Sequence, residues 1–286
     1  MRSATGEAPG RAALLGNPSD GYGGHVIALA LANFSARVDV HEPGSLEGHP
    51  LVEAAIGRFP RECGPLGARV DTTIPRSVGL GGSSAIVIAT LRALSDLYAH
   101  PLDPATVARL ALAAEAEDLG VAAGPQDRVV QSHGGLVSMD FSENTVERLD
   151  PAGLPPLFIA WHQGSAQSSG HVHAPLRARV EDGERAAIAG LSELAEVARV
   201  GRDAIEAADH DALADLVDRT FDLRAELLHL DPRHERLVHI ARAHGAHATY
   251  AGSGGAVVVI PEGDPGALAA AYAAEGCGFE PARVAP

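Results

Sequence analysis

The stretch "SVGLGGSSAI", residues 77–86, sets glycines 79, 81 and 82 and serines 83 and 84 directly before an apolar helical pattern. Each glycine gives up much backbone freedom on folding, so a run of this kind implies a need for bare backbone. Amide groups at a helix N-terminus form an anion site that the helix dipole reinforces, and glycine lets them approach phosphate oxygens closely. The stretch therefore predicts a phosphate-binding loop from Gly79 through Leu80, Gly81, Gly82, Ser83 and Ser84 to Ala85, with a serine hydroxyl available to Mg²⁺. A glycine-rich turn with a serine helix cap accounts for the same letters without a ligand.

The helix that follows is predicted from Ile86, Ala89, Leu94 and Leu97. Upstream, "HVIALALANFSARVDVHE" (25–42) ends in a period-two strand over Ser35–Val40, and "ARVDTTIP" (68–75) repeats the pattern up to Pro75. Downstream, Asp103 and Pro104 predict the start of a second helix and Gly120 its end. Strands are expected over 134–141 and 154–162, two or three helices over 180–230, and strand–turn–strand over 248–263. Strands recur after helices in both halves, which predicts an α+β fold in two lobes divided near residue 150.

The chain has 286 residues, 46% of them hydrophobic, and a formal net charge of −15. That charge argues against nucleic acid or an anionic membrane as partner. There is no lysine, so a lysine-bearing phosphate loop is excluded and every fixed cation is an arginine. Cys63 and Cys277 lie in no metal-binding spacing, and the first residues carry no apolar leader, so a cytoplasmic protein is expected. His171 and His173 form an H-x-H pair without matching ligands, read as a lid or surface segment rather than a zinc site.

Three ordered stretches extend the reading. "IPRSVGLGGSSA" resembles the central signature of the GHMP kinases, "APGRAALLGNPSDGYGG" (8–24) their N-terminal motif, and "YAGSGGAVVVI" (250–260) their C-terminal glycine motif. Within that superfamily "GPQDRVVQSHGGLVSMDFS" (124–142), "SSGHVHAPLRARVEDGE" (168–184) and "FDLRAEL" (221–227) are similar to glucuronokinases. The resemblance implies a ribosomal protein S5 domain 2-like N-terminal lobe (1–150) and a ferredoxin-like C-terminal lobe (151–286). It also implies ATP as co-substrate, Mg²⁺, and phosphorylation of a sugar acid at its anomeric hydroxyl. Kinases for galacturonate, arabinose, galactose or a heptose remain alternatives, as does a catalytically silent sugar- and ATP-binding sensor.

By the same resemblance, Asp127 is the acceptor-side carboxylate and Arg11 its cationic partner, while Glu115 and Ser83 hold the metal, with Ser84 second to Ser83. Asp20 is expected on the sugar, with Asn17, Ser19 and Tyr22 as further ligands; Gly252, Ser253 and Gly254 shape the cleft. A sugar carboxylate needs a positioned cation, for which Arg179, Arg177 and Arg128 are the candidates. The oligomeric state and the adenine pocket are left open.

Overall fold

The computed structural model describes residues 2–46, 48–121, 124–162 and 169–286, without the side chains of 169–173. Two strands, β1 (Arg2–Leu15) and β2 (His25–Glu42), form an antiparallel hairpin in which β2 is the central strand of the first sheet and β1 its edge. The period-two stretch at Ser35–Val40 is only the far half of β2; its near half is a continuous apolar run, because both of its faces are covered. Strand β3 (Gly67–Thr72) pairs with the far half, and β4 (Leu136–Asp140) with the near half. Strand β5 (Thr145–Leu149) pairs with β4 and completes the sheet.

Four helices belong to this half: α1 (Pro50–Arg58), α2 (Gly82–Leu97), α3 (Pro104–Ala113) and α4 (Gln126–His133). Helix α2 packs most heavily on the hairpin, with Val87, Ile88, Leu91 and Leu94 wholly buried. Asp103 caps α3 by accepting from the Thr106 amide at 2.9 Å, as its place before Pro104 predicts. The expected helix does not run unbroken to Gly120: after Ala113 it widens into a π turn, Ala114–Asp118, before Gly120 takes a φ of +64°. That widening carries Glu115.

The second sheet is antiparallel, in the order β7 (His247–Tyr250), β8 (Ala256–Ile260), β6 (Phe158–His162), β9 (Cys277–Pro281). Helices α5 (Ser169–Glu181), α6 (Arg185–Glu206), α7 (His210–Leu227), α8 (Pro232–Ala243) and α9 (Pro265–Ala274) accompany it. Helices α6 and α7 pack together, α6 also against β2 and α7 also against β7, so the pair joins the two sheets. The chain end returns to the first sheet, where the Ala285 amide donates to Ala30 O and its carbonyl accepts from Gly135, each at 2.8 Å. Among the described residues no helix is long and apolar enough to cross a membrane.

Candidate active site

Between the two sheets lies a cleft of about 720 Å³, lined by β1, the loop before α2, the start of α4, and the turn between β7 and β8. Gly79 and Gly81 hold φ values of +76° and +73°, and Gly81 stands at the N-cap of α2. A Cβ on Gly79 would come within 2.8 Å of Gly254 O, and one on Gly252 within 2.3 Å of Gly79 O. The two glycine turns are therefore packed backbone on backbone, which no side chain would permit. The amides of the first turn of α2 have no partner within the helix.

The two serines of the loop separate. Ser83 is exposed and lines the cleft, whereas Ser84 is buried with its Oγ donating to Gln131 Oε1 at 2.6 Å. Gln131 in turn donates from Nε2 to Pro9 O at 2.7 Å and Gly81 O at 2.9 Å, tying α4, β1 and the loop together. Leu80 contributes its carbonyl to the Arg11 amide at 3.0 Å, and the Ala85 amide closes on Gly81 O. Gly79 to Ser83 line the cleft; Ser84 and Ala85 lie beneath it.

Arg11 from β1 and Asp127 from the first turn of α4 meet in a two-pronged contact, Nε to Oδ1 and NH2 to Oδ2, both at 2.6 Å. NH1 of Arg11 also donates to the carbonyls of Gly79 and Ala251. Arg11 is buried, while the Asp127 side chain is 21% exposed and faces the cleft. Next to it Arg128 donates to Glu115 Oε2 at 2.7 Å through Nε and to Gly124 O at 2.9 Å. Glu115 is fully buried, does not line the cleft, and has its Oε1 without a hydrogen-bond partner.

Beyond Asp127 the lining is formed by Asn17, Asp20, Tyr22, Gly252 and Ser253. Burial and the nearby Asp127 charge raise the Asp20 carboxyl to a pKa of about 6, against the lowering effect of the Gln126 and Gly21 amides. Ser19 does not reach the cleft: its Oγ donates to His25 O at 3.0 Å. Gly254 is turned away beneath His234. Of the three candidate arginines, Arg128 and Arg177 line the cleft. Arg179 does not, because Glu184 holds its guanidinium through two 2.8 Å bonds and Leu227 O takes NH1 at 2.7 Å. The side chains of His171 and His173 lie outside the described residues.

Arg224 escaped the sequence reading. It is completely buried on α7, donates to Asn17 Oδ1 and Gly252 O at 2.6 Å each, and stacks 5.4 Å from the Tyr250 ring centre. Desolvation lowers its pKa to about 10. Its spacing from Val217, Phe221 and Leu227 puts a charge on an apolar helix face, and that is the signal that could have found it. The apolar lining from Leu51, Val52, Val70, Ile74, Val78 and Ile86 was likewise missed, since it is assembled from three separated segments.

Residues 50–135 match the GHMP kinases N terminal domain family. Glucuronokinase 1 of Arabidopsis thaliana is 34% identical, over 96% of this chain and 91% of its own. Probable glucuronokinase 2 of the same organism is 35% identical, over 88% of this chain and 83% of its own. Among solved structures, Lactococcus lactis galactokinase complexed with galactose superposes with a TM-score of 0.80 at 15% identity, covering 99% of this chain and 93% of its own. Methanococcus jannaschii mevalonate kinase does so at 0.79 and 19% identity, covering 98% of each chain. A fold shared with those kinases, joined to identity sustained along nearly the whole length of both plant enzymes, shows that this chain belongs to the glucuronokinase family of the GHMP kinases.

Proposed function

We propose that this sugar kinase transfers the γ-phosphoryl group of ATP to the anomeric hydroxyl of D-glucuronate. The observation that carries the reading is the Arg11–Asp127 pair, set in one cleft with the α2 phosphate loop, in a chain about one-third identical to glucuronokinases over most of its length. Phosphoryl transfer asks of a protein positioning, charge neutralisation and a group for the acceptor proton. The α2 amides and the loop backbone hold the phosphates. Asp127, fixed by the Arg11 fork, accepts the hydrogen bond of the attacking hydroxyl and takes its proton as the new O–P bond forms and ADP leaves. Arg11 stabilises charge on the transferred group. Asp20 and Asn17 receive the sugar hydroxyls, and the apolar lining around Leu51, Val70 and Ile74 suits the adenine ring.

A Mg²⁺ ion fits Ser83, whose hydroxyl opens to the cleft, but not Glu115, which is fully buried, held by Arg128 and absent from the cleft lining. Among the described residues no cluster of three or more acidic, histidine or cysteine side chains could hold an ion alone. A shell completed by phosphate oxygens and water is usual for Mg²⁺ in kinases. The ion bound there would neutralise charge on the β- and γ-phosphates. Residues 1–150 and 151–286 serve as the two lobes of one catalytic unit, with substrates bound between them.

ADP release measured with ATP, Mg²⁺ and a panel of acidic and neutral sugars tests the reading. Glucuronate should support turnover, and Asp127→Asn should lower it by ~10²–10⁴-fold while ATP still binds. An Asp127→Asn enzyme with more than half of the wild-type turnover contradicts the assignment.

A further inference from the structure

A uronic acid brings a fixed negative charge into a cleft that also receives ATP, in a protein of net charge −15. The carboxylate loses hydration on entry, and only a positioned hydrogen-bonding cation offsets that loss. Without lysine the permanently charged side chains are all arginines, with histidine able only to assist. Among the described residues Arg11, Arg76, Arg128 and Arg177 line the cleft. Arg11 is engaged through all three of its nitrogens, by Asp127 and the carbonyls of Gly79 and Ala251. Arg128 is engaged in the same way by Glu115 and Gly124 O, and is buried. Arg224 carries charge close by but is sealed behind Asn17 and Gly252 and does not line the cleft. Arg76 is exposed and stands directly before Ser77 and the loop assigned to the nucleotide phosphates, rather than next to Asp20 in the sequence or its turn.

Arg177 differs from all of these. It lies on α5, exposed along the cleft, beside the Tyr22 phenol, which lines the same cleft and on which its positive charge acts. Tyr22 ends the short 3-10 turn Ser19–Tyr22 that also carries Asp20. A phenol accepts from a guanidinium while keeping its own O–H to donate. Burial raises the Tyr22 pKa further above neutrality, so that proton stays in place. Guanidinium and phenol thus both offer donors to the cleft that also takes in Asp20, the group assigned to the sugar hydroxyls.

We infer that Arg177, with Tyr22 beside it, is the residue that reads the substrate carboxylate and makes the kinase selective for a sugar acid. The inference rests on the glucuronate reading above. It also chooses among the three arginines that the sequence leaves open: Arg179 is held by Glu184 outside the cleft, and Arg128 is held by Glu115.

The test compares kcat and KM for D-glucuronate and for its uncharged isostere D-glucuronamide in the wild type, Arg177→Met, Arg177→Lys and Tyr22→Phe, with folding checked by circular dichroism. The wild type should prefer glucuronate. Arg177→Met should lose ~10- to 100-fold in kcat/KM for glucuronate, carried by KM, and less than about 3-fold for the amide. Arg177→Lys, keeping the charge but not the fork, should fall between, and Tyr22→Phe should show a smaller loss of the same kind. If the wild type prefers glucuronate and Arg177→Met keeps that preference, the inference is overturned while the glucuronate reading stands. A wild type that does not phosphorylate glucuronate overturns both.

Discussion

Asp20 shows how a single side chain can be held at a cost to stability for the sake of a site. Buried beside Asp127, its carboxyl has a pKa of about 6 in the folded protein, against about 3.9 when unfolded. A raised pKa means that the folded state binds the proton more tightly, so the favourable contribution is complete below pH 4. It is lost as pH rises through about 6. Two units correspond to roughly 2–3 kcal/mol, within the range that burial of a lone carboxylate costs. Asp20→Asn should therefore flatten the stability profile between pH 4 and pH 7 and raise stability at pH 7 relative to the wild type. Urea unfolding at a series of pH values measures this; an unchanged decline in the variant would place the titration elsewhere. Arg224 carries the converse burden, a buried cation held by Asn17, Gly252 O and the Tyr250 ring, and it joins the turn after β1 to the second glycine turn.

At the scale of elements, the glycine loop before α2 is held by neighbours far apart in sequence. Gln131 of α4 holds Ser84 and Gly81 O, Arg11 of β1 holds Gly79 O and Asp127, and the 252–254 turn packs on Gly79. The adjacent serines accordingly do different work. Ser84→Ala would leave Gln131 Oε1 buried without its donor, and should cost ~1–3 kcal/mol in thermal or urea unfolding with little change in Mg²⁺ dependence. Ser83→Ala touches an exposed hydroxyl, and should leave stability within ~0.5 kcal/mol while raising the Mg²⁺ concentration needed for half-maximal turnover. Titrations of both variants with Mg²⁺ decide it; a reversed pattern would move the metal to Ser84. The elements legible in the sequence were those with sharp local punctuation: α2 after its glycines, the start of α3 at Asp103 and Pro104, and β7–β8 around their glycine turn. Strand β1 was not legible as a strand, because Gly6, Pro9 and Gly10 interrupt its pattern and its pairing with β2 is set by tertiary contact. Gln131 and Arg224 stayed hidden for a similar reason: their partners lie on other segments, and only folding brings them within hydrogen-bond distance.

For the whole molecule, two antiparallel sheets are joined by α6, α7 and the returning chain end, and the cleft between them brings together the glycine loop before α2, Ser83, the Arg11–Asp127 pair and Asp20. The motifs located three walls of that cleft from sequence alone. They could not say which arginines reach the cleft unpaired by a carboxylate, because that depends on which guanidinium each carboxylate has already taken. The net charge of −15 makes the local arginine arrangement matter more, since nothing in the long-range field favours an anionic substrate. The most direct test of the central claim is phosphorus and proton NMR of the product formed by the wild-type protein from ATP, Mg²⁺ and D-glucuronate. The account predicts a phosphorus resonance coupled to the anomeric proton, with the carboxylate unmodified and one ADP formed for each sugar phosphorylated. Phosphate on any other oxygen, or ADP formed only with a neutral sugar, would contradict it.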